Sequence, residues 1–420
     1  MSHRTPNWGR NTFGYLLVLL YLPLALVGTA RPAIASNDRD CSTGELNLRV
    51  NACTELLDAV TDRSSRALVL YRRGLAYVET GDDQAALTDF TASLDLHPID
   101  LVTLYARAET LIRLGETDRG MADHDKAVRL DRKTARSLVN RGFARLALQR
   151  FDAALDDFET AVSREPRNAE AIKGRGDARR GTGDFIAAIR DYSAAIKLDK
   201  SYRNAFYGRA RAFVDMGDFA RAIDDLDSVI EIDQTFENAY FSRGYSHWQI
   251  GDTDRALEDY RKAIILAPDF QAAFFERGSL LLELRRFEEA LADLDEALRL
   301  DPASGEALTK RARLWRALGD PNKSIADAST AISLLSNAPA PLIERAEALL
   351  IVERFTDALV DVNKALAAKK DDAATLELRG RIHEAMGSKA AALADFRSSL
   401  ATDPQYKQAR FGIDRLGEKL

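Results

Sequence analysis

A 34-residue period runs through residues 67–406 without an insertion, and it leaves the chain little freedom in how it folds. The stretch 237–270, ENAYFSRGYSHWQIGDTDRALEDYRKAIILAPDF, shows the unit in full. Tyr240, Gly244, Gly251, Ala256, Tyr260, Ala263 and Pro268 stand at offsets 4, 8, 15, 20, 24, 27 and 32. Each position has a physical reason. Gly or Ala at offset 8 and Ala at offset 20 let two helices approach closely, while large apolar residues at offsets 4, 11 and 24 fill the space around that contact. Gly at offset 15 can end the first helix with a positive φ. The Asp that follows it, as in Asp82, Asp184, Asp218 and Asp252, can cap the second helix. Pro at offset 32 stops that helix. One such pair cannot bury its apolar face alone, so neighbours must stack.

Ten units keep this register: 67–100, 101–134, 135–168, 169–202, 203–236, 237–270, 271–304, 305–338, 339–372 and 373–406. Offset 8 is Gly or Ala throughout, and offset 20 is Ala in every unit except at Gly120 and Ser324. The pattern resembles the tetratricopeptide repeat, a helix–turn–helix unit of this period. The resemblance implies an all-α, right-handed superhelical solenoid of about ten repeats, with the first helices lining a concave groove. The unit 305–338 departs most, carrying Ser324, Ala328 and Ser336 at offsets 20, 24 and 32, so a softer joint is expected over 318–342.

The flanks read differently. In residues 1–35, Arg4 and Arg10 precede the apolar run Tyr15–Val27, and Ala33-Ile34-Ala35 offers an A-x-A cleavage site. This is the pattern of an export signal. The run is short for a membrane span and contains Pro23; an uncleaved inner-membrane anchor is the alternative. Residues 36–66 hold the only two cysteines, Cys41 and Cys53, which in an exported chain read as one disulfide. The segment is expected to be a degenerate half-repeat cap, with the staple contributing on the order of 3 kcal/mol. A redox or metal pair is the other reading, but the spacing is not C-x-x-C and no His is near. Residues 407–420 can form a closing helix, with Phe411, Ile413 and Leu416 covering the last apolar face.

Charge and chemistry narrow the function. The formal net charge is −6 with no basic block, which argues against nucleic acid as a partner. The five histidines are scattered over unrelated offsets, without an H-E-x-x-H or Cys/His cluster, and no serine sits in G-x-S-x-G. Gly174-Arg175-Gly176 resembles a fragment of a phosphate loop, but the repeat places it inside a first helix. No catalytic residue, metal or cofactor is expected.

Two charged rows accompany the period. Offset 7 is Arg in all ten units, Arg73 through Arg379, and offset 23 is Asp in all ten, Asp89 through Asp395. Equal counts in one register suggest Arg–Asp pairing between the two helices of a unit. A row of free arginines gripping acidic ligands is the functional alternative. In related arrays, offsets 2, 5, 9, 12 and 13 of the first helix line the groove. That resemblance assigns Tyr71, Tyr105, Tyr207, Phe241 and Phe275 (offset 5), together with Phe143, Tyr245 and Trp248 (offsets 9 and 12), to a peptide-binding groove. The rings can instead pack between neighbouring units. The family's carboxylate clamp, Lys at offset 5 with Asn at offset 9, is not matched, because Lys173 is followed by Asp177. The expectation is a non-enzymatic protein- or peptide-binding scaffold of the bacterial envelope, most simply periplasmic. A structural part of an envelope secretion, export or outer-membrane assembly is the second class.

Overall fold

The computed structural model describes residues 32–336 and 338–417. Most of the expected export signal, including its apolar run, lies outside the described residues; Ala33-Ile34-Ala35 lies within the first helix. Among the described residues the chain forms twenty-three α-helices and no strand, and none of the helices is long and apolar enough to cross a membrane. The helices fall into two compact units divided after Asp233.

The first unit begins with α1 (Pro32–Thr43) and α2 (Leu46–Ala59). Five pairs follow: α3 (Arg63–Thr80) with α4 (Asp83–Leu96), α5 (Leu101–Arg113) with α6 (Thr117–Leu130), α7 (Arg136–Ala147) with α8 (Phe151–Arg164), α9 (Ala169–Gly181) with α10 (Phe185–Leu198), and α11 (Arg203–Asp215) with α12 (Phe219–Ile232). The second unit holds α13 (Glu237–Gln249) with α14 (Thr253–Leu266), α15 (Gln271–Glu283) with α16 (Phe287–Leu300), α17 (Gly305–Ala317) with α18 (Pro321–Leu334), α19 (Pro339–Ile351) with α20 (Phe355–Ala368), and α21 (Ala373–Ala385) with α22 (Lys389–Thr402). The short helix α23 (Lys407–Arg415) closes it. Within each unit every helix packs on the next, and the first helices of successive pairs also touch, as α9 does α11 and α15 does α17.

The turn inside each pair is the same everywhere. Offset 15 is left-handed in all ten pairs, seven times with Gly and three times with Gln149, Arg285 and Glu353 (φ 56° to 60°), so the reversal itself demands that conformation. The following Asp caps the next helix as expected: Asp82, Asp184, Asp218 and Asp252 each accept from the backbone N–H three residues on.

The core is built by knobs at offset 24. Phe90, Phe158, Tyr192, Tyr260, Leu294 and Phe396 are all 0 % exposed, as are the alanines at offset 20. Each aromatic knob needs glycine around it. A Cβ on Gly142 would fall 2.7 Å from Phe158 Cζ, and one on Gly174 would meet the same ring from the next helix pair. The Gly174-Arg175-Gly176 run is thereby explained: its two glycines flank Phe158 and Tyr192.

At the start of the first unit, Cys41 of α1 and Cys53 of α2 are disulfide-bonded. Both are fully buried in one cluster with Leu56, Leu57, Val69 and Leu70, so the bond clips α1 to α2 beneath α3. At the other end Ala409 and Ile413 of α23 are 0 % exposed and Leu416 packs beside them, but Phe411 is 64 % exposed. The expectation that Phe411 covers the last face is therefore corrected. Residues two apart on a helix point to nearly opposite sides, so Phe411 cannot share the inner stripe of Ile413.

Candidate functional site

The first helices carry the positions a ligand would meet, and the charged rows decide what those positions can offer. All ten offset-7 arginines are bound to the offset-23 aspartate of their own pair. Each donates from Nε and Nη2 to the two carboxylate oxygens at 2.5–3.0 Å. The carboxylates are buried except that of Asp327, which is half-buried, and the guanidinium groups are only slightly open. In several pairs the third nitrogen crosses to the preceding repeat, as from Arg141 Nη1 to Asp125, Arg209 Nη1 to Ser193, Arg345 Nη1 to Ser329 and Arg379 Nη1 to Asn363. One guanidinium thus ties two helices of its own repeat and one of the last. The row's guanidinium groups are committed to contacts within the array.

The eight aromatic residues expected along the groove divide. Phe241 is fully buried between Tyr260 (5.9 Å) and Phe270 (4.9 Å). Phe143 is buried edge-on against Phe158 at 5.0 Å, and Lys173 Nζ lies 5.6 Å from its ring. Tyr105 is buried against His124, with its hydroxyl 2.5 Å from Ser137 Oγ. Tyr245 is buried as well. An open groove position for these four is corrected: Phe241, Phe143 and Tyr105 pack on rings of their own repeat, and Tyr245 is likewise closed off from solvent. Aromatic side chains at offsets 5 and 9 lie next to the offset-24 knob and bury more area against it than toward water. Tyr71, Tyr207, Trp248 and Phe275 are half-buried and keep an edge outside. Phe275 rests on Leu298 and Leu308, and Tyr207 lies under the Arg211 guanidinium.

Between the rings the face is polar. In the first unit Lys173 pairs with Asp177 at 2.6 Å, Asp177 accepts from Tyr192 Oη at 2.8 Å, and Arg180 pairs with Asp215 at 2.8 Å. These bonds consume the residues that stood where the family's carboxylate clamp would be. In the second unit Arg316 meets Glu344 and Arg381 meets Glu347, each at 2.9 Å. Glu276 is different. Burial pushes its carboxyl up to about 7, against the weaker pull of Lys310, and it makes no hydrogen bond or ion pair among the described residues. The hydroxyls of Tyr260 and Ser279 are buried nearby without a partner. Sequence reasoning passed over Glu276 and Ser279. The available signal was a charge at offset 6, which is Gly at Gly174 and Gly208. Among the described residues no group of three or more His, Cys, Asp or Glu is placed to hold a metal.

A stack of identical helix pairs with a mixed aromatic and polar face along its first helices defines an α-helical repeat scaffold. Models of the tetratricopeptide repeat match residues 68–98 and, in overlapping pairs, 139–203, 173–235, 207–270, 241–304 and 275–339. The chain belongs to the tetratricopeptide repeat family, whose members serve in general as protein-interaction scaffolds. A comparison with curated proteins finds no match. Among solved structures it is similar to a tetratricopeptide repeat protein from Parabacteroides merdae (22 % identity, 56 % of this chain and 92 % of that one, TM-score 0.49). It is also similar to PilF of Pseudomonas aeruginosa (19 %, 52 % and 98 %, 0.46) and to yeast Tom70 (16 %, 92 % and 94 %, 0.41).

Proposed function

We propose that this chain is a non-enzymatic scaffold of the bacterial cell envelope that holds an extended segment of a protein partner along its first-helix groove. The observation that carries the reading is the state of the charged rows. Every offset-7 arginine is bound within the fold, so recognition falls to the half-buried rings and the unmatched polar groups between them. Trp248 and Phe275, on consecutive first helices of the second unit, offer edges of the kind that dominate binding hot spots. Tyr71 and Tyr207 do the same in the first unit, while Tyr105, Phe143, Phe241 and Tyr245 set the floor.

Export is supported by the charged start, apolar run and A-x-A of residues 1–35, and by a buried disulfide that needs an oxidising compartment. The periplasm is the compartment this favours. Residues 36–66 serve as the stapled cap, 67–406 as the ten repeats, and 407–420 as the closing helix.

The test is affinity capture from an envelope extract with the full chain and with a Trp248→Ala/Phe275→Ala variant of unchanged helicity, followed by titration of each captured protein. A partner bound at least tenfold more weakly by the variant supports the groove. Partners that bind both forms equally would move the contact to other surfaces and favour a structural role in an envelope assembly.

A further inference from the structure

In the second unit a buried tyrosine reaches the first-helix face with a hydroxyl it does not use. Tyr260 is fully buried beside Gly244, and its Oη has no partner. Two repeats earlier the same offset holds Tyr192, whose Oη donates to Asp177 at 2.8 Å. Substitutions in register separate the two places: Tyr245 stands for Asp177, Trp248 for Arg180, Glu276 for Gly208, and Ser279 for Arg211. The carboxyl has moved from the tyrosine's own repeat to the next one, and the two arginines that act on Tyr192, Arg180 and Arg211, have no counterpart. After burial, the Glu276 charge is the largest influence on the Tyr260 phenol, and it is felt at Tyr245 too.

What remains is a carboxyl without a cation. Farther along the same unit Glu344, Glu347 and Glu384 each meet an arginine at 2.5–2.9 Å. Glu276 meets none within ion-pair distance; Lys310 of α17 acts on it only at longer range. Its neighbour along α15, Glu283, adds a like charge. A partly buried carboxyl with no counter-ion and two buried unsatisfied hydroxyls beside it is costly to maintain for folding alone.

We propose that Glu276, backed by the hydroxyls of Tyr260 and Ser279, receives one lysine side chain of the extended protein partner, a refinement that rests on the groove reading above. Both hydroxyls are covered in the free chain; Ser279 stands three residues along α15 from Glu276, and Tyr260 feels the Glu276 charge. In this proposal each donates to the ionised Glu276, and the carboxylate's remaining acceptor sites take the cation. The site is a half-buried carboxylate. It suits a compact ammonium with three donors better than a planar guanidinium that needs a two-bond fork. Trp248 and Phe275 can cover the lysine's aliphatic stem.

The pH dependence has a definite sign. Bound lysine requires ionised Glu276, while a peptide lysine stays protonated from pH 6 to 8. With Glu276 near 7, affinity should rise about tenfold over that range. The other charged groups acting on the carboxyl are Lys310 and Glu283, and burial pushes the neighbouring phenols of Tyr245 and Tyr260 above their ordinary value, so both stay protonated there.

The experiment is selection of random extended peptides from a phage-displayed library on the full chain at pH 8, followed by calorimetric titration of the selected sequences. Expected are a lysine fixed at one peptide position and a loss of tenfold or more when that lysine becomes norleucine. Affinity at pH 6 should be about tenfold weaker. Glu276→Gln should remove both effects while melting no lower than wild type. Peptides that need Trp248 and Phe275 but show neither effect overturn the lysine pocket and leave the groove reading standing. No selected peptide, or equal binding by Trp248→Ala/Phe275→Ala, removes the groove reading and the pocket with it. A pH dependence seen only in Lys310→Met means that the chain's own lysine occupies the site, and overturns the proposal.

Discussion

The Arg–Asp row yields the sharpest prediction, because its geometry separates register from stability. In the pair Arg209–Asp225 two hydrogen bonds of 2.8 and 2.6 Å join α11 to α12, and the aspartate side chain is 7 % exposed. Burial raises the Asp225 carboxyl above its ordinary value even with the guanidinium bound, so desolvation outweighs what the pair returns. A folded-state pKa above the unfolded one means that the folded chain binds the proton more readily. Ionising Asp225 as pH rises past that value therefore lowers folding stability. Replacing Arg209 by Leu removes the compensation and strands a buried carboxylate, at a cost of about 3–5 kcal/mol. Replacing both residues by Leu should be neutral or stabilising, by up to about 1–4 kcal/mol. Ser193, which loses the Arg209 Nη1 donor in both variants, still donates to the Ile189 carbonyl. Native-state hydrogen exchange of α11 and α12 reads these local free energies directly, with urea unfolding as the global check. An Arg209→Leu cost below about 1 kcal/mol would make the pair an ordinary solvated one. A double variant as unstable as the single would mean that the row supplies stability, and the register argument would fail.

Three further outcomes follow from particular contacts. Gly174→Ala places a Cβ 2.5 Å from Phe158 Cζ and should cost about 1–3 kcal/mol in thermal unfolding, partly recovered by Phe158→Leu; an unchanged melting temperature would refute the wedge. Ser324 buries a hydroxyl with no partner where most repeats have Ala, so Ser324→Ala should gain about 1 kcal/mol. In wild type, amide exchange over 318–342 should be faster than in adjacent repeats, and the variant should slow it. His124 fills the knob position with neither ring nitrogen hydrogen-bonded, Glu109 Oε1 lying 3.8 Å from Nε2, and burial holds its pKa down at about 4. The unfolded chain takes up that proton first, so stability present above pH 6.5 should fall by about 3 kcal/mol on acidification to pH 4; His124→Phe should flatten that slope in pH-dependent unfolding.

The architecture was legible because the same constraint is written ten times. Offsets 8, 15, 20 and 24 each answer to one neighbour, and the Asp caps, left-handed turns and buried knobs all stand where spacing put them. Even the exceptions obey the frame: Gln149, Arg285 and Glu353 adopt a glycine's conformation because the turn leaves no other. What escaped was the second glycine of each wedge. Gly174 and Gly208, at offset 6, serve the knob of the preceding repeat, a contact across units that no single repeat displays. The aromatic rows depart from the expectation for another reason, a contact inside one repeat. Offsets 5 and 9 were assigned to the groove by position on the first helix, but Phe241 and Phe143 find a knob from a second helix beside them and turn onto it.

This division bears on where recognition can lie. A row that repeats in every unit is held in place by a row that repeats opposite it, as the ten arginines are by the ten aspartates. Such rows are spent on the array itself and look alike to any partner at every step. A partner can distinguish one part of the array from another only where the period is broken. Many breaks on the first-helix face are closed internally, Lys173 by Asp177 and Arg381 by Glu347 among them. Glu276 is a break left open, one repeat beyond Trp248 and on the same helix as Phe275. A ring edge supplies affinity with little preference for what covers it, whereas a half-buried carboxyl without a cation penalises every occupant except a positive one. On the groove reading proposed above, the choice between partners is made in the second unit, where those two kinds of group stand together.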